Sequence, residues 1–214
     1  KGPKVIIPNG IDTARFSPVV PKISEFLSGK INILFVGRLD RRKGSQFLLP
    51  AFEELRKKHK NVRLIVVGDG FLKEELLGVV KRYNIEDVIF AGEVENEKIP
   101  RYYASADIFC APSIRGETFG IILLEAMASG VPVVTTDIEG YREVMPETYH
   151  ELLVKPERSD LLFLALDKLV RDGKLRSKLS KIGLSHAVNY DWGIIGERVF
   201  NFYQEILKNK QENR

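Results

Sequence analysis

The chain has 214 residues, 44% of them hydrophobic and 29% charged, with a formal net charge of +4 at pH 7. That is room for one generous domain with a full core, and no apolar run approaches the ~18 residues that span a bilayer. A single cysteine rules out a disulfide framework within the chain, and with no signal-peptide pattern at its start a reducing, cytoplasmic setting is expected.

In chain order, apolar runs at 5–7, 31–36, 62–67, 88–90, 108–110, 131–134 and 152–154 predict strands. Most are apolar on both faces, as in a parallel sheet covered by helices on each side. Between them lie stripes with helical spacing, first Phe47, Leu48, Ala51, Phe52 and Leu55, then Leu72, Leu76, Val79 and Val80. From Ser159 onward the pattern is helical throughout, over 161–170, 175–187 and about 193–207, with Asp191 as N-cap and Trp192 as packing anchor of the last helix. The fold class expected is α/β, a doubly wound Rossmann-like parallel sheet with C-terminal helices. Its division would be a sheet-bearing unit over 1–190 and a terminal helix over 191–214, with short polar tails at 1–4 and 209–214. Cys110, inside an apolar run, reads as a small buried hydrophobe. The basic cluster Arg56-Lys57-Lys58-His59-Lys60 reads as a solvated helix end whose cations suit the helix dipole. No nucleic-acid reader motif is present, and the aromatics avoid the basic residues, so no nucleic-acid partner is expected.

In an open α/β sheet, ligands bind beyond the carboxyl ends of the strands. Three loops there are unusual. Gly37-Arg38-Leu39-Asp40-Arg41-Arg42-Lys43-Gly44 follows the strand over 31–36 and puts cations at the mouth of a helix, which suits a phosphate; a solvated basic loop would look the same. Gly68-Asp69-Gly70 supplies a tight turn and is too short to diagnose anything. The third, running from Gly116 to Gly130, is the informative one. Its helix is apolar on nearly every face, yet carries Glu125 in the middle. A carboxylate so placed must pair with an internal cation or accept hydrogen bonds from a ligand, such as the two vicinal hydroxyls of a ribose. The free amides of Phe119, Gly120 and Ile121 would face the ligand's phosphate or sugar.

Glu117 and Glu125, with seven residues between them in GETFGIILLEAMASGVPVV, resemble the E-x7-E signature of the retaining family 4 glycosyltransferases of GT-B fold. The segment Ile7 to Asp12, the GRLDRRKG loop, GDG, Ala106-Asp107-Ile108 and Tyr190-Asp191-Trp192 follow in that family's order, and the spacing is most similar to the phosphatidylinositol mannosyltransferase branch. The resemblance implies a domain that binds a nucleotide-diphosphate sugar, with GDP-mannose favoured and a UDP-sugar as the other option. Arg38 and Lys43 would bind the diphosphate and stabilise the leaving nucleotide. Glu117 would face the hexose, Glu125 the ribose, and the backbone of Phe119, Gly120 and Ile121 the sugar and β-phosphate. Val94 and Lys98 would frame the base. Arg38, Lys43 and Glu117 are thus the catalytic candidates. No Asp-x-Asp motif is present, and two protein cations serve the diphosphate, so neither metal nor cofactor is expected.

The resemblance also implies a further N-terminal domain that binds the acceptor, lends a catalytic histidine and carries any membrane association. His59, His150 and His186 fall outside the donor loops. The expectation is a piece of a longer enzyme, inactive alone, whose last helix would cross back to that domain and whose apolar positions here are left exposed or pack on a neighbour. A non-catalytic nucleotide-sugar-binding subunit would use the same residues. A glycogen-synthase-like glucosyltransferase is disfavoured by Ile138-Glu139-Gly140-Tyr141, where that group shows a Gly-Gly-Leu segment.

Overall fold

Six parallel strands form one sheet in a computed structural model that describes residues 4–212, with side chains to Lys208. In chain order they are β1 (Ile31–Val36), β2 (Val62–Val67), β3 (Val88–Gly92), β4 (Ile108–Ala111), β5 (Val133–Thr136) and β6 (Leu153–Val154), arranged β3-β2-β1-β4-β5-β6. β1 pairs with β2 residue for residue from Ile31↔Val62 to Val36↔Val67, and its other edge meets β4 at Ile33↔Ile108 and Leu34↔Phe109. Ile33, Leu34, Leu64, Ile65, Ile108 and Phe109 are all buried, so the inner strands have no solvent face. That explains why their sequence is apolar at successive positions rather than at alternate ones.

Helices α1 (Ser45–Lys58), α2 (Lys73–Arg82) and α6 (Ser159–Arg171) pack together, as do α3 (Ile99–Ala104), α4 (Ile121–Ala128) and α7 (Gly173–Val188). A short α5 (Glu139–Arg142) lies between β5 and β6, and α8 (Trp192–Glu212) closes the described chain. This is the doubly wound, Rossmann-like arrangement expected. Cys110 is buried and desolvation pushes its thiol up, as befits a packing residue.

Some expectations need correction. Residues 5–7 are not a strand: Ile6 is 92% exposed, and Pro8, directly after the run, has no N–H to give a sheet. β5 begins at Val133 rather than 131, after Pro132, which also lacks a donor. The last helix runs on to Glu212, so only 213–214 of the expected C-terminal tail, with 1–3 of the N-terminal one, lie outside the described residues. Asp191 accepts from the Gly193 amide at 2.8 Å, as an N-cap does. Trp192 lays one face of its ring over Gly10 yet stays 56% exposed. Phe200, Tyr203 and Leu207 of α8 are exposed, one of the two outcomes expected for its apolar positions. Among the described residues no helix is long and apolar enough to cross a membrane.

The basic end of α1 is also more than a solvated terminus. Arg56 reaches Glu86 at 2.8 Å and Asp87 at 2.9 Å, while Lys58 and His59 meet the buried carboxylate of Asp167 at 2.9 and 2.6 Å. Arg171, one turn along α6, joins the same carboxylate at 2.9 Å, so the cluster bolts α1 to α6. Burial alone would raise the Asp167 carboxyl, but His59, Lys58 and Arg171 outweigh it and its pKa lies below the ordinary value. A depressed carboxyl contributes stability above its unfolded-state pKa and loses it as pH falls through the folded one. Asp167→Asn should therefore cost about 2 kcal/mol in urea unfolding at pH 7, less than for a fully buried pair because Lys58 and Arg171 can return to water. The gap from the parent should hold down to pH ~5 and narrow only below ~4; a gap that widens with acid would refute this account.

Candidate functional site

The chain leaves β1 toward β2 and leaves β4 toward β5, in opposite directions along the sheet. With right-handed crossovers the two following helices lie on opposite faces, and the loops that start them part above the strand ends, leaving a crevice. After β1, Leu39 is buried as an anchor, and the Asp40 carboxylate accepts from the amides of Arg42 at 3.0 Å and Lys43 at 3.2 Å. Those bonds cap a single 3-10 turn, Arg41–Lys43, which stops at Gly44 in the left-handed conformation (φ 74°). A Cβ on Gly44 would stand 1.9 Å from the carbonyl oxygen of Pro112, so only glycine lets the β1 loop back directly onto the β4 loop. The contact is completed by the Ile114 amide, which donates to the Arg42 carbonyl at 2.7 Å.

Across this junction Lys43 Nζ donates to Glu117 Oε1 at 2.7 Å, with both side chains mostly buried. The same oxygen lies 3.4 Å from the Ser113 hydroxyl, which shares a 2.9 Å hydrogen bond with the buried hydroxyl of Tyr141. Tyr141 belongs to α5, and α5 fits there because a Cβ on Gly140 would stand 2.1 Å from the Glu117 carbonyl. Lys43 and Glu117, expected to serve adjacent parts of a ligand, thus form a direct ion pair with each other.

Gly120 (φ 75°) precedes α4, and the amides of Phe119, Gly120 and Ile121 have no protein acceptor among the described residues. They form the electropositive end of a helix. Glu125 sits one turn further in, where its Oε2 accepts from Tyr103 OH at 3.0 Å. Burial raises the Glu125 carboxyl above its usual value; the Tyr103 bond and the charge of Arg15 oppose that without cancelling it. Among the described residues Glu125 has no ion pair, so the internal cation considered above is not what forms; a neutral hydroxyl takes that place.

The remaining candidates are more dispersed. Arg38 is 74% exposed and rests 3.4 Å from Asp40, apart from the Lys43–Glu117 pair. Phe119 packs on Tyr190 at 6.0 Å, and Ile121 is exposed at the mouth of α4. Val94 is half-buried against the core, and Lys98 lies exposed on the turn Asn96–Lys98, held by Glu95 at 2.8 Å. Of the histidines, His59 belongs to the α1–α6 bolt and His186 bonds the Val144 carbonyl at 2.8 Å. Among the described residues no three His, Cys, Asp or Glu side chains are grouped to hold a metal ion. Sequence reasoning missed Ser113, Tyr141, Tyr103 and Arg15. Each reaches the site from an element remote in sequence from the residue it supports, Ser113 excepted, and its place in a PS dipeptide reads as an ordinary loop signal.

The sequence model of a family described as glycosyl transferases group 1 matches residues 18–186. A phosphatidyl-myo-inositol mannosyltransferase from Mycobacterium leprae is 34% identical over 203 residues, covering 94% of this chain and 54% of that protein. The chain thus spans about half the length of the curated relatives it matches. Among solved structures, the C-terminal domain of a group 1 glycosyl transferase from Francisella tularensis superposes with a TM-score of 0.78 at 29% identity, covering 86% of this chain and all of that one. An Anabaena protein, HepE, crystallised with UDP and glucose, superposes at 0.79 with 23% identity, over 94% of this chain and 56% of that one.

The loop junction is directly testable. Gly44→Ala combines a left-handed backbone with a clash against a main-chain carbonyl, and should cost about 2–4 kcal/mol in urea unfolding. A loss under about 0.5 kcal/mol would show that the two loops are not in fixed contact.

Proposed function

This chain belongs to the group 1 glycosyl transferases, and we propose that it is the donor-binding, C-terminal half of a GT-B enzyme of that family. It binds a nucleotide-diphosphate sugar for retaining transfer of a hexose to an acceptor held by another domain. The observation that carries this reading is the meeting of Lys43, Glu117 and the free amides before α4 at one crevice, with Glu125 a turn deeper. A diphosphate suits Lys43 and the helix end, because both present positive charge to one point. Glu117 then leaves Lys43 and is free to accept from a sugar hydroxyl. The ionised Glu125 suits the vicinal hydroxyls of a ribose.

The reaction breaks the bond between the anomeric carbon and a β-phosphate oxygen, so positive charge develops on the sugar and negative charge on the departing diphosphate. Lys43, the amides of Phe119, Gly120 and Ile121, and Arg38 once it swings inward, oppose the second of these. In this reading they meet the diphosphate's charge without a metal ion. Glu117, facing the sugar, favours the first. Val94 and Lys98 frame the base.

GDP-mannose is the donor favoured, on the similarity to proteins named mannosyltransferases. The UDP in the Anabaena structure keeps UDP-sugars as the alternative donor. A second reading, a nucleotide-sugar-binding subunit without catalysis, would use the same residues; the relatives' additional length favours a second domain in the same protein.

Calorimetric titration with GDP and UDP separates the two donors and tests the site. GDP should bind more tightly than UDP, and Lys43→Ala and Glu125→Ala should each weaken binding by roughly 1.5–3 kcal/mol, about 10- to 150-fold. A stronger UDP response would transfer the proposal to a UDP-sugar. If either nucleotide binds but both variants bind it unchanged, the site lies elsewhere. No binding of either at millimolar concentration would leave the donor-site reading without support.

A further inference from the structure

Glu125 has one partner on the protein, and that partner is built with care. Tyr103 is fully buried, its ring set edge-on to Phe16 at 5.6 Å and tilted against Phe109 at 5.2 Å. Three elements therefore fix the ring: the segment before β1, α3 and β4. Its hydroxyl has few options in that apolar setting. It donates to Glu125 Oε2 at 3.0 Å and otherwise only grazes the Ile122 carbonyl at 3.5 Å. A buried hydroxyl whose main partner is a carboxylate oxygen fixes that carboxylate's rotamer and leaves its second oxygen to face outward.

We propose that Tyr103 is the positioning residue for the donor's ribose, holding Glu125 Oε2 so that the other carboxylate oxygen is presented to the sugar hydroxyls. This rests on the donor-site reading and adds to it the residue that makes Glu125 a preformed acceptor. Tyr103 from α3 bonds Glu125, and the positive charge of Arg15, in the segment before β1, acts on it as well. Arg15 is itself held, 5.2 Å above the Phe16 ring and hydrogen-bonded to the Asn96 carbonyl in the turn after β3. Burial favours the protonated acid, while Tyr103 and Arg15 favour the ion. The ion is the form that can accept from two hydroxyls at once. Without the phenol, Glu125 is free to rotate and picks up a proton at higher pH.

Tyr103→Phe removes the hydroxyl and keeps the ring between Phe16 and Phe109, so the fold should persist. The chain and this variant would be titrated with GDP and UDP and with their 2′,3′-dideoxy counterparts from pH 5 to 8. In parallel, the Glu125 carboxyl would be followed by carbon NMR in glutamate-labelled protein, its signal assigned through Glu125→Gln. Expected is a loss of about fivefold to tenfold in ribonucleotide affinity near neutral pH, with less than about twofold for the dideoxy compounds. The Glu125 titration midpoint should move up, and the pH below which ribonucleotide binding fades should move up with it. In a Glu125→Gln background, Tyr103→Phe should add little. An unmoved midpoint, or equal losses with ribose and dideoxyribose, would overturn the proposal while leaving the donor site in place. Failure of the parent chain to bind any of the nucleotides would overturn the donor-site reading, and the proposal with it.

Discussion

Two right-handed crossovers that set off in opposite directions from adjacent strands are the constraint on which the site depends. β1 and β4 are neighbours, but one feeds a helix that leads to β2 and the other a helix that leads to β5. Helix α1 and helix α4 must therefore lie on opposite faces, and their N-termini diverge from a common gap. The helix ends turn electropositive backbone toward that gap, and the loops decide what else is put there. Because the inner strands are sealed on both faces, the strand ends are where this sheet can offer polar groups to a ligand without opening its core.

The loops do not fill the gap with loose side chains. Gly44 under Pro112 and Gly140 under Glu117 bring main chain against main chain, so the β1, β4 and β5 loops form one continuous floor. On that floor the two carboxylates are handled differently. Glu117 is neutralised by Lys43 and steadied by Ser113, a pairing that a competing anion can replace. Glu125 is met by a neutral phenol, which orients it and brings no opposite charge. One carboxylate is therefore tied to a cation and the other to a hydroxyl, which would suit the proposed donor, with a charged diphosphate on one side and a rigid ribose ring on the other.

Much of this was legible in the sequence. Buried parallel strands announce themselves because apolar residues occupy both faces, with few exceptions such as Asn32 and Arg63, and Glu125 stood out because its helix is otherwise uniformly apolar. The run at 5–7 looked like a strand for the same reason, and misled because apolar residues beside Pro8 do not by themselves find a sheet edge. The Lys43–Glu117 pairing was not legible: both residues were picked out, but each as a ligand group, since nothing in a sequence shows that two loops separated by more than seventy residues touch. Tyr103 and Arg15 were invisible for a related reason. A tyrosine in a short helix and an arginine in an irregular segment carry no pattern, and their role exists only in the packing of Phe16 against Tyr103. The α1–α6 bolt was misread because a helix end rich in lysine looks solvated until the buried Asp167 is placed opposite it.

The segment before β1 and the start of α8 meet in a small parallel clasp. Ile11 donates to the Tyr190 carbonyl at 2.8 Å, Trp192 donates to the Ile11 carbonyl at 3.0 Å, Thr13 bonds Asp191, and the Trp192 ring covers Gly10. Considered as a mechanical element, this clasp closes a loop around the whole sheet. A pull applied through residues before Gly10 and after Trp192 would act on two parallel segments drawn in opposite directions. That is a shear load shared by several bonds at once, not a peeling load taken one bond at a time. The six strands and the crevice between β1 and β4 lie outside the path of that force. The domain is therefore strapped at its own neck: tension applied across the clasp reaches the crevice between β1 and β4 only after the clasp has given way.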